Sequence, residues 1–492
     1  MGYCPHALAP TQIVLLGATG DLAQKKLIPA LYDLFVRGML PERLHVIGLA
    51  RDEKSDEEYR AFVLACLAKK GRSRTKQTEA FAKSFAYVRG SFEDQAAFAS
   101  VKAALLAYDS AIGQCTSKLF YLAVPPSFYD TIFEQIARTG LDLPCAPGSS
   151  AESGGWVRVL VEKPFGSDLD NAHRLEDKLS VLFKEEQIYR IDHYLAKDTL
   201  QNILSFRFSN VLFEDRFNHE YVEAVYLKVF EAFDVSTRGA FFDGVGALRD
   251  VGQNHMLQML ALVAMEHPRS LSAVDLRAAR AAVLRALAPP ERSVLATDVV
   301  KGQYAGYRNT PHVDPESTTE TYFALKAHIE NERWRGVPFY LEHGKAMHES
   351  ASEITIRFRS ARDCVCGEHE PHDHPNFVRF SISPEQKITV RFWVRAPGSA
   401  FALESNDLVF DRDTAAKQGG ASIADAYEEV LQNAICGDQT LFVSSKEQQA
   451  AWTYITKILE LWEGAQPLPY KKGSAGPNAA LQQDIAKLFA PL

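Results

Sequence analysis

The chain has 492 residues, 46% of them hydrophobic, and a formal net charge of −8. That length exceeds one ordinary core and points to two domains; the negative balance argues against a general nucleic-acid or anionic-membrane binder. The seven cysteines are scattered and odd in number, which does not read as a disulfide framework and suits a reducing, cytoplasmic setting.

The first apolar run, residues 12–16, has no basic stretch before it and flows into a glycine motif. It reads as a buried strand, not a signal peptide, and His6 stands where N-myristoylation needs Ser or Thr. A helical pattern over 22–36 and a second apolar strand over 43–51 complete a βαβ unit. Further strands are expected at 118–126 and 156–166, the first stopped by prolines, with a Pro/Gly/Ser-rich loop at 145–155 between them. Residues 1–190 therefore read as a Rossmann-like domain with a doubly wound parallel sheet.

Beyond this point the pattern changes. Strands are expected at 206–210, 224–233, 322–331, 353–359, 377–382 and 387–394, without regular helices between them. Such a series suggests a large, mainly antiparallel sheet. Helical spacing recurs at 250–265, 422–436 and 448–462; in the second, Ile423, Tyr427, Val430, Leu431 and Ala434 form one stripe. Residues 191–492 thus read as an α+β domain. No apolar stretch approaches membrane-spanning length.

Three stretches carry chemistry. In "GATGDLA", Gly17, Gly20 and Ala23 lie between strand and helix. Glycine lets the backbone turn tightly beside a pyrophosphate, and the helix start offers free N–H groups. The spacing G-x-x-G-x-x-A is not the standard fingerprint, and a simple packing turn is the other reading. Arg51, at the end of the second strand, suits the 2′-phosphate of NADP, while Asp52 and Glu53 beside it leave NAD open. In "IYRIDHYLAKDTLQN", a strand ending near Asp192 and a helix starting near Tyr194 would let His193 and Lys197 meet over one turn. With Tyr194 they would suit a phosphate, leaving Asp192 facing elsewhere; an exposed helix start with Lys197 in a surface ion pair fits equally. In "RDVGQNHMLQMLAL", His255 sits in a largely apolar helix. It is either a satisfied core histidine or a proton acceptor near neutral pH, for which Asp192 is a candidate partner.

Together with "FYLAVPPSFY", "VEKPFG", "NERWRGVPFYLEHGK" and "GDQTLFV", these stretches resemble the glucose-6-phosphate dehydrogenase family, in order along nearly the whole chain. The resemblance implies NADP-dependent oxidation of glucose 6-phosphate at C1 to 6-phosphoglucono-1,5-lactone, the first step of the oxidative pentose phosphate pathway. It implies His255 as the base, oriented by Asp192, and His193, Tyr194 and Lys197 as the phosphate grip. Glu231, Asp250 and Lys345 match sugar contacts. Lys163 matches a lysine at both substrate and nicotinamide, followed by a cis Pro164. Gly17, Gly20, Asp21, Leu22, Arg51 and Tyr129 match cofactor contacts. A homodimer or homotetramer, paired through the large sheet, is implied too.

The chain also departs from that family. Ser350 replaces a second basic residue near the substrate, and Ser383 a glutamine that touches the sugar. A relative acting on another hexose or hexose phosphate is therefore a rival reading, and a non-catalytic NADP sensor a more distant one. Glu342 and Ala351 stand where some members bind a second, structural NADP with basic residues, so no such site is expected. The segment "CVCGEHEPHDHP" has no family counterpart; Cys364, Cys366, His369, His372 and His374 could ligate zinc, but their spacing fits a polar hairpin loop better and no metal is expected.

Overall fold

The computed structural model describes residues 8–143, 155–361, 374–398, 402–412, 414 and 424–489. The chain divides into two compact units. The first holds residues 1–196 and also takes in 270–277 and 424–448.

The first unit is built on β1 (Thr11–Leu16), β2 (Leu44–Ala50), β3 (Phe85–Arg89), β4 (Ser117–Leu122), β5 (Val157–Val161) and β6 (Ile188–Ile191). Their order across the sheet is β3-β2-β1-β4-β5-β6, and all these neighbours run parallel. This is the doubly wound arrangement, with its switch point between β1 and β4. Strands covered on both faces need apolar side chains at every position. Accordingly Ile13 and Leu15 join one core with helix Ile28–Val36, while Val14 and Leu16 join a second.

The second unit is built on β7 (Val222–Phe230), β8 (Val299–Tyr304), β9 (Tyr322–Ala327), β10 (Phe339–Gly344), β11 (Ala351–Phe358), β12 (Phe377–Ser383), β13 (Lys387–Arg395) and β14 (Leu403–Asp411). The chain then adds β15 (Phe442–Val443) to the first sheet, antiparallel to β6, and ends the second sheet with β16 (Leu468–Tyr470). The second sheet runs β14-β13-β12-β11-β7-β10-β9-β8-β16. It is mainly antiparallel, as expected, but β7 pairs with β10 in parallel, as does β8 with β16.

Several expectations are corrected. Residues 206–210 are not a strand: helix Asp198–Phe208 takes in the first three, and Ser209 and Asn210 join it to the short helix Val211–Glu214. The alternation of Phe206 and Phe208 imitates a strand, but the buried positions are Thr199, Leu200, Ile203, Phe206 and Arg207, a helical period. The helix after β6 begins at Asp198, not near Tyr194, so His193 and Lys197 do not share its first turn. Cys115 and Cys436 are disulfide-bonded, against the reading of the scattered cysteines, while Cys66 is free; pairing depends on proximity in space, which spacing along the chain does not reveal. The expected stripe holds at Tyr427, Val430, Leu431 and Ala434, all buried; Ile423 and most of the loop at 145–155 lie outside the described residues.

Helix Leu257–Ala264 is buried along its whole length, so its terminal carbonyls need donors from side chains. Arg207 supplies two, to Val263 O at 2.7 Å and Met265 O at 2.9 Å, and the Trp334 indole N–H donates to Ala264 O at 2.7 Å. Burial pushes the Arg207 guanidinium down to about 10, so it remains a cation at neutral pH, paired with Glu214 at 3.2 Å. Removing it would strand these carbonyls and Glu214 together. Arg207→Met is expected to cost about 3–5 kcal/mol, read as a lower urea midpoint at unchanged slope.

Candidate active site

The first unit places its candidate residues where parallel strands end. Gly17 follows β1 with φ +85°, and a Cβ built there would lie 2.3 Å from the Ala123 carbonyl oxygen after β4. Only glycine tolerates that turn and that approach. The Gly17 N–H donates to Leu49 O at 2.9 Å, and the Gly20 N–H to Gly17 O at 2.9 Å. Asp21 is exposed and paired with Lys25 at 2.7 Å, and Leu22 precedes the widened helical turn Ala23–Leu27. This tight, side-chain-free cradle at the switch point fits a dinucleotide pyrophosphate.

Arg51 is exposed directly after β2. Both neighbouring acids are engaged: Asp52 accepts from the Thr19 hydroxyl, and Glu53 pairs with Arg89 at 2.8 Å. Lys163 follows β5 by two residues and precedes a cis Pro164, as expected. Tyr129 is fully buried, and its hydroxyl donates to the Glu162 carbonyl at 2.6 Å. The candidate cofactor residue Tyr129 thus reaches Lys163's neighbour through the backbone.

Asp192 is buried directly after β6. Its Oδ1 accepts the Tyr194 N–H at 3.0 Å and its carbonyl the Leu195 N–H at 3.0 Å, which forms a turn where a helix was expected. The His193 ring stands 5.3 Å from that of Tyr194 and 6.0 Å from that of Tyr427, nearly parallel to the latter.

In the second unit, Lys197 directly precedes helix Asp198–Phe208, and its carbonyl accepts the Leu200 N–H at 3.0 Å. Glu231 follows β7 and Lys345 follows β10. Because these strands are parallel neighbours, the two side chains emerge at the same edge. The Lys345 ammonium donates to Glu231 Oε2 at 2.5 Å, lies 3.5 Å from Asp250 Oδ2, and sits 5.1 Å from the Phe242 ring centre. Burial pushes the Glu231 carboxyl up, but His343 and Lys345 hold it below its ordinary value. His343 is itself driven down to about 4 by burial. Near neutral pH its ring is uncharged, and Lys345 is the cation that keeps Glu231 ionised.

His255 and Asp250 share the widened helix Leu248–Met256. His255 is buried, and its backbone N–H donates to Asn254 Oδ1 at 2.6 Å. The helix start is tied down by Glu320, which accepts the Leu248 N–H at 3.0 Å. A buried imidazole on a fixed helix suits proton transfer, and a lysine between two carboxylates suits polyhydroxyl recognition.

The sequence reading missed Glu162, His343 and Glu320. The first two had a signal: Glu162 is Lys163's neighbour, and His343, two before Lys345 across a strand end, shares its face. Of the metal candidates, Cys364, Cys366, His369 and His372 lie outside the described residues; His374 packs its ring 4.5 Å from Trp393.

A sheet wound in this order, with a glycine cradle at its switch point, is the scaffold of dinucleotide-linked oxidoreductases, and this chain is one of them. Residues 14–202 match the family model for "Glucose-6-phosphate dehydrogenase, NAD binding domain", and residues 204–486 match that for the C-terminal domain. The chain belongs to the glucose-6-phosphate dehydrogenase family. It is 37% identical over 479 residues to a glucose-6-phosphate 1-dehydrogenase of Aggregatibacter actinomycetemcomitans, covering 95% of this chain and 94% of the relative. It is 38% identical over 482 residues to glucose-6-phosphate 1-dehydrogenase 5, cytoplasmic, of Arabidopsis thaliana, covering 96% and 90%. Among solved structures it is similar to a glucose-6-phosphate dehydrogenase in complex with its substrate glucose 6-phosphate, at TM-score 0.88 and 31% identity over 99% of each chain. The enzyme from Mycobacterium avium gives 0.81 and 30% over 96% of each.

Proposed function

We propose that the chain oxidises glucose 6-phosphate at C1 to 6-phosphoglucono-1,5-lactone with NADP, the entry step of the oxidative pentose phosphate pathway. The observation that carries this is the buried Lys345, held by Glu231 and Asp250 where β7 and β10 end together. A cation beside two carboxylates offers both donors and acceptors to a sugar, and the substrate-bound relative gives the sugar its phosphate.

His255 takes the proton of the C1 hydroxyl. Asp192 fixes the imidazole tautomer and stabilises the imidazolium that forms, as the acid does in other catalytic dyads. His193, Tyr194 and Lys197 hold the phosphate; Glu231 and Asp250 accept hydrogen bonds from sugar hydroxyls, and Lys163 orients the reacting end. Gly17, Gly20, Asp21, Leu22, Arg51 and Tyr129 serve the dinucleotide side. NADP, when bound, supplies the hydride acceptor. NADP is favoured over NAD because Asp52 and Glu53 are occupied by Thr19 and Arg89 while Arg51 is exposed beside them.

One observation favours the rival substrate reading. Ser350 is spent on the backbone, its Oγ accepting the Ala232 N–H at 2.9 Å, and brings no charge to a phosphate. A charge-assisted hydrogen bond of about 1.5–3 kcal/mol is thus absent at that position.

No second, structural NADP belongs to this reading. Glu342 is buried, accepts from Tyr226 and from Tyr322 at 2.6 Å, and lies on a sheet that helix Ala480–Phe489 reaches through Phe489 on Tyr226. Assembly into a homodimer or homotetramer belongs to it. β14 is exposed throughout, and Leu408, Val409 and Phe410 stand more than half exposed, an apolar edge that suits a second copy. A cytoplasmic location is the last part; the Arabidopsis relative carries that word in its name, and among the described residues no helix is long and apolar enough to cross a membrane.

Reduced nicotinamide should appear with glucose 6-phosphate and NADP, and far less with free glucose or glucosamine 6-phosphate. Turnover on a control sugar instead would move the substrate. His255→Asn should lower kcat by about 10²–10⁴-fold with NADP binding intact; an unchanged rate would remove His255 as the base, and a wild type without turnover on any sugar would return the sensor reading. Arg51→Ala should lower kcat/KM for NADP by about 10–100-fold and leave NAD nearly unaffected. Equilibrium dialysis should give one NADP per chain, and two would restore the structural site. In sedimentation, Phe410→Asp should reduce the wild-type oligomer to a smaller species; a monomeric wild type would remove the assembly.

A further inference from the structure

Glu162, between β5 and Lys163, has no role in the proposed chemistry, yet it is gripped twice. Its Oε1 accepts the Tyr121 hydroxyl, from β4, at 2.6 Å. Its backbone carbonyl accepts the Tyr129 hydroxyl, from helix Tyr129–Thr139, at 2.6 Å. Both phenols are fully buried. Two rigid donors from different elements therefore fix both ends of one residue, and the next residue in the chain is Lys163. A flexible lysine stem is placed no better than the backbone that carries it.

We infer that Glu162 is a positioning residue: clamped by Tyr121 at its side chain and by Tyr129 at its carbonyl, it sets where Lys163 stands. The inference rests on the reading of Lys163 in the proposed reaction and deepens it. Removing a hydroxyl from either phenol would leave a buried acceptor without its donor and free the peptide before Lys163.

Burial and the Tyr121 grip act in opposite directions on this carboxyl. Burial pushes Glu162 up to about 7; the Tyr121 hydrogen bond, the Lys163 charge and the Lys163 N–H pull it down, and Asp192 pushes it up. The titratable groups facing it are Tyr121 of β4, Lys163 of its own segment, Asp192 after β6, Tyr129, and Tyr427 of helix Ala426–Cys436. Since the Tyr121 hydroxyl favours the ionised form, its loss raises the Glu162 pKa further, whereas Glu162→Gln removes the titration altogether. The two variants are thus predicted to move the pH profile in different ways, which a merely structural role would not do.

The test compares the full-length wild type with Glu162→Gln and Tyr121→Phe. Glu162→Gln should lower kcat by roughly tenfold to a hundredfold, with KM for the sugar phosphate changed by less than about threefold, and should lose an inflection near neutrality. Tyr121→Phe should keep that inflection and shift it to higher pH. Wild-type kcat with an unchanged profile in Glu162→Gln, or a shift to lower pH in Tyr121→Phe, overturns the inference; if one variant fails to fold, the other still decides. If the wild type turns over no sugar phosphate, the proposed function fails and NADPH fluorescence decides the inference. A roughly fivefold weaker Kd in Glu162→Gln, the size of one lost hydrogen bond, upholds it, and an equal Kd overturns it.

Discussion

Parallel strands end at the same edge, and that constraint governs where this protein keeps its chemistry. In the first unit several candidate residues, or their neighbours, directly follow parallel strands: Gly17 after β1, Arg51 after β2, Ala123 after β4, Glu162 after β5 and Asp192 after β6. The second sheet is mainly antiparallel, so its strand ends scatter to both edges. The β7–β10 pair, like the short β8–β16 pair, is parallel, and the residues that follow β7 and β10 are Glu231 and Lys345. One parallel pair is enough to bring an acid and a base of distant sequence to within hydrogen-bonding distance.

The sequence discloses this unevenly. The parallel sheet is readable because strands covered on both faces must be apolar throughout, and because the glycines of "GATGDLA" mark the turn. The family motifs locate the charged residues, and their positions at strand ends accord with that. The second sheet is harder. β14 faces outward and lacks a buried stripe, and β10 lies in the stretch "NERWRGVPFYLEHGK", between two expected strands and not among them. Its parallel pairing with β7 leaves no local mark at all, since register between distant strands is a property of the fold. Period was misleading once: two phenylalanines spaced as on a strand belong to a helix whose buried face includes an arginine. A buried Arg207 is invisible to any pattern that treats charge as surface.

Phenols recur as donors to buried and half-buried carboxylates of this protein. Glu162 is served by Tyr121, Glu342 by Tyr226 and Tyr322, and Asp243 by Tyr307. A tyrosine brings a donor on a rigid, apolar body, so it can satisfy the acid without adding a second charge to the core.

The first sheet is closed by residues made late. β15 flanks β6, and helix Ala426–Cys436 covers the sheet while Arg158 donates to the Ala434 and Ile435 carbonyls at 2.7 and 2.8 Å. Arg190 and Val443, which meet there, are 253 positions apart. A nascent chain emerging from the ribosome therefore exposes an unpaired strand edge and an uncovered apolar face until synthesis is nearly over. The amino-terminal half has a nucleotide-binding topology of its own, yet it must wait, shielded or at risk of association, for the carboxyl-terminal part of the same polypeptide to arrive.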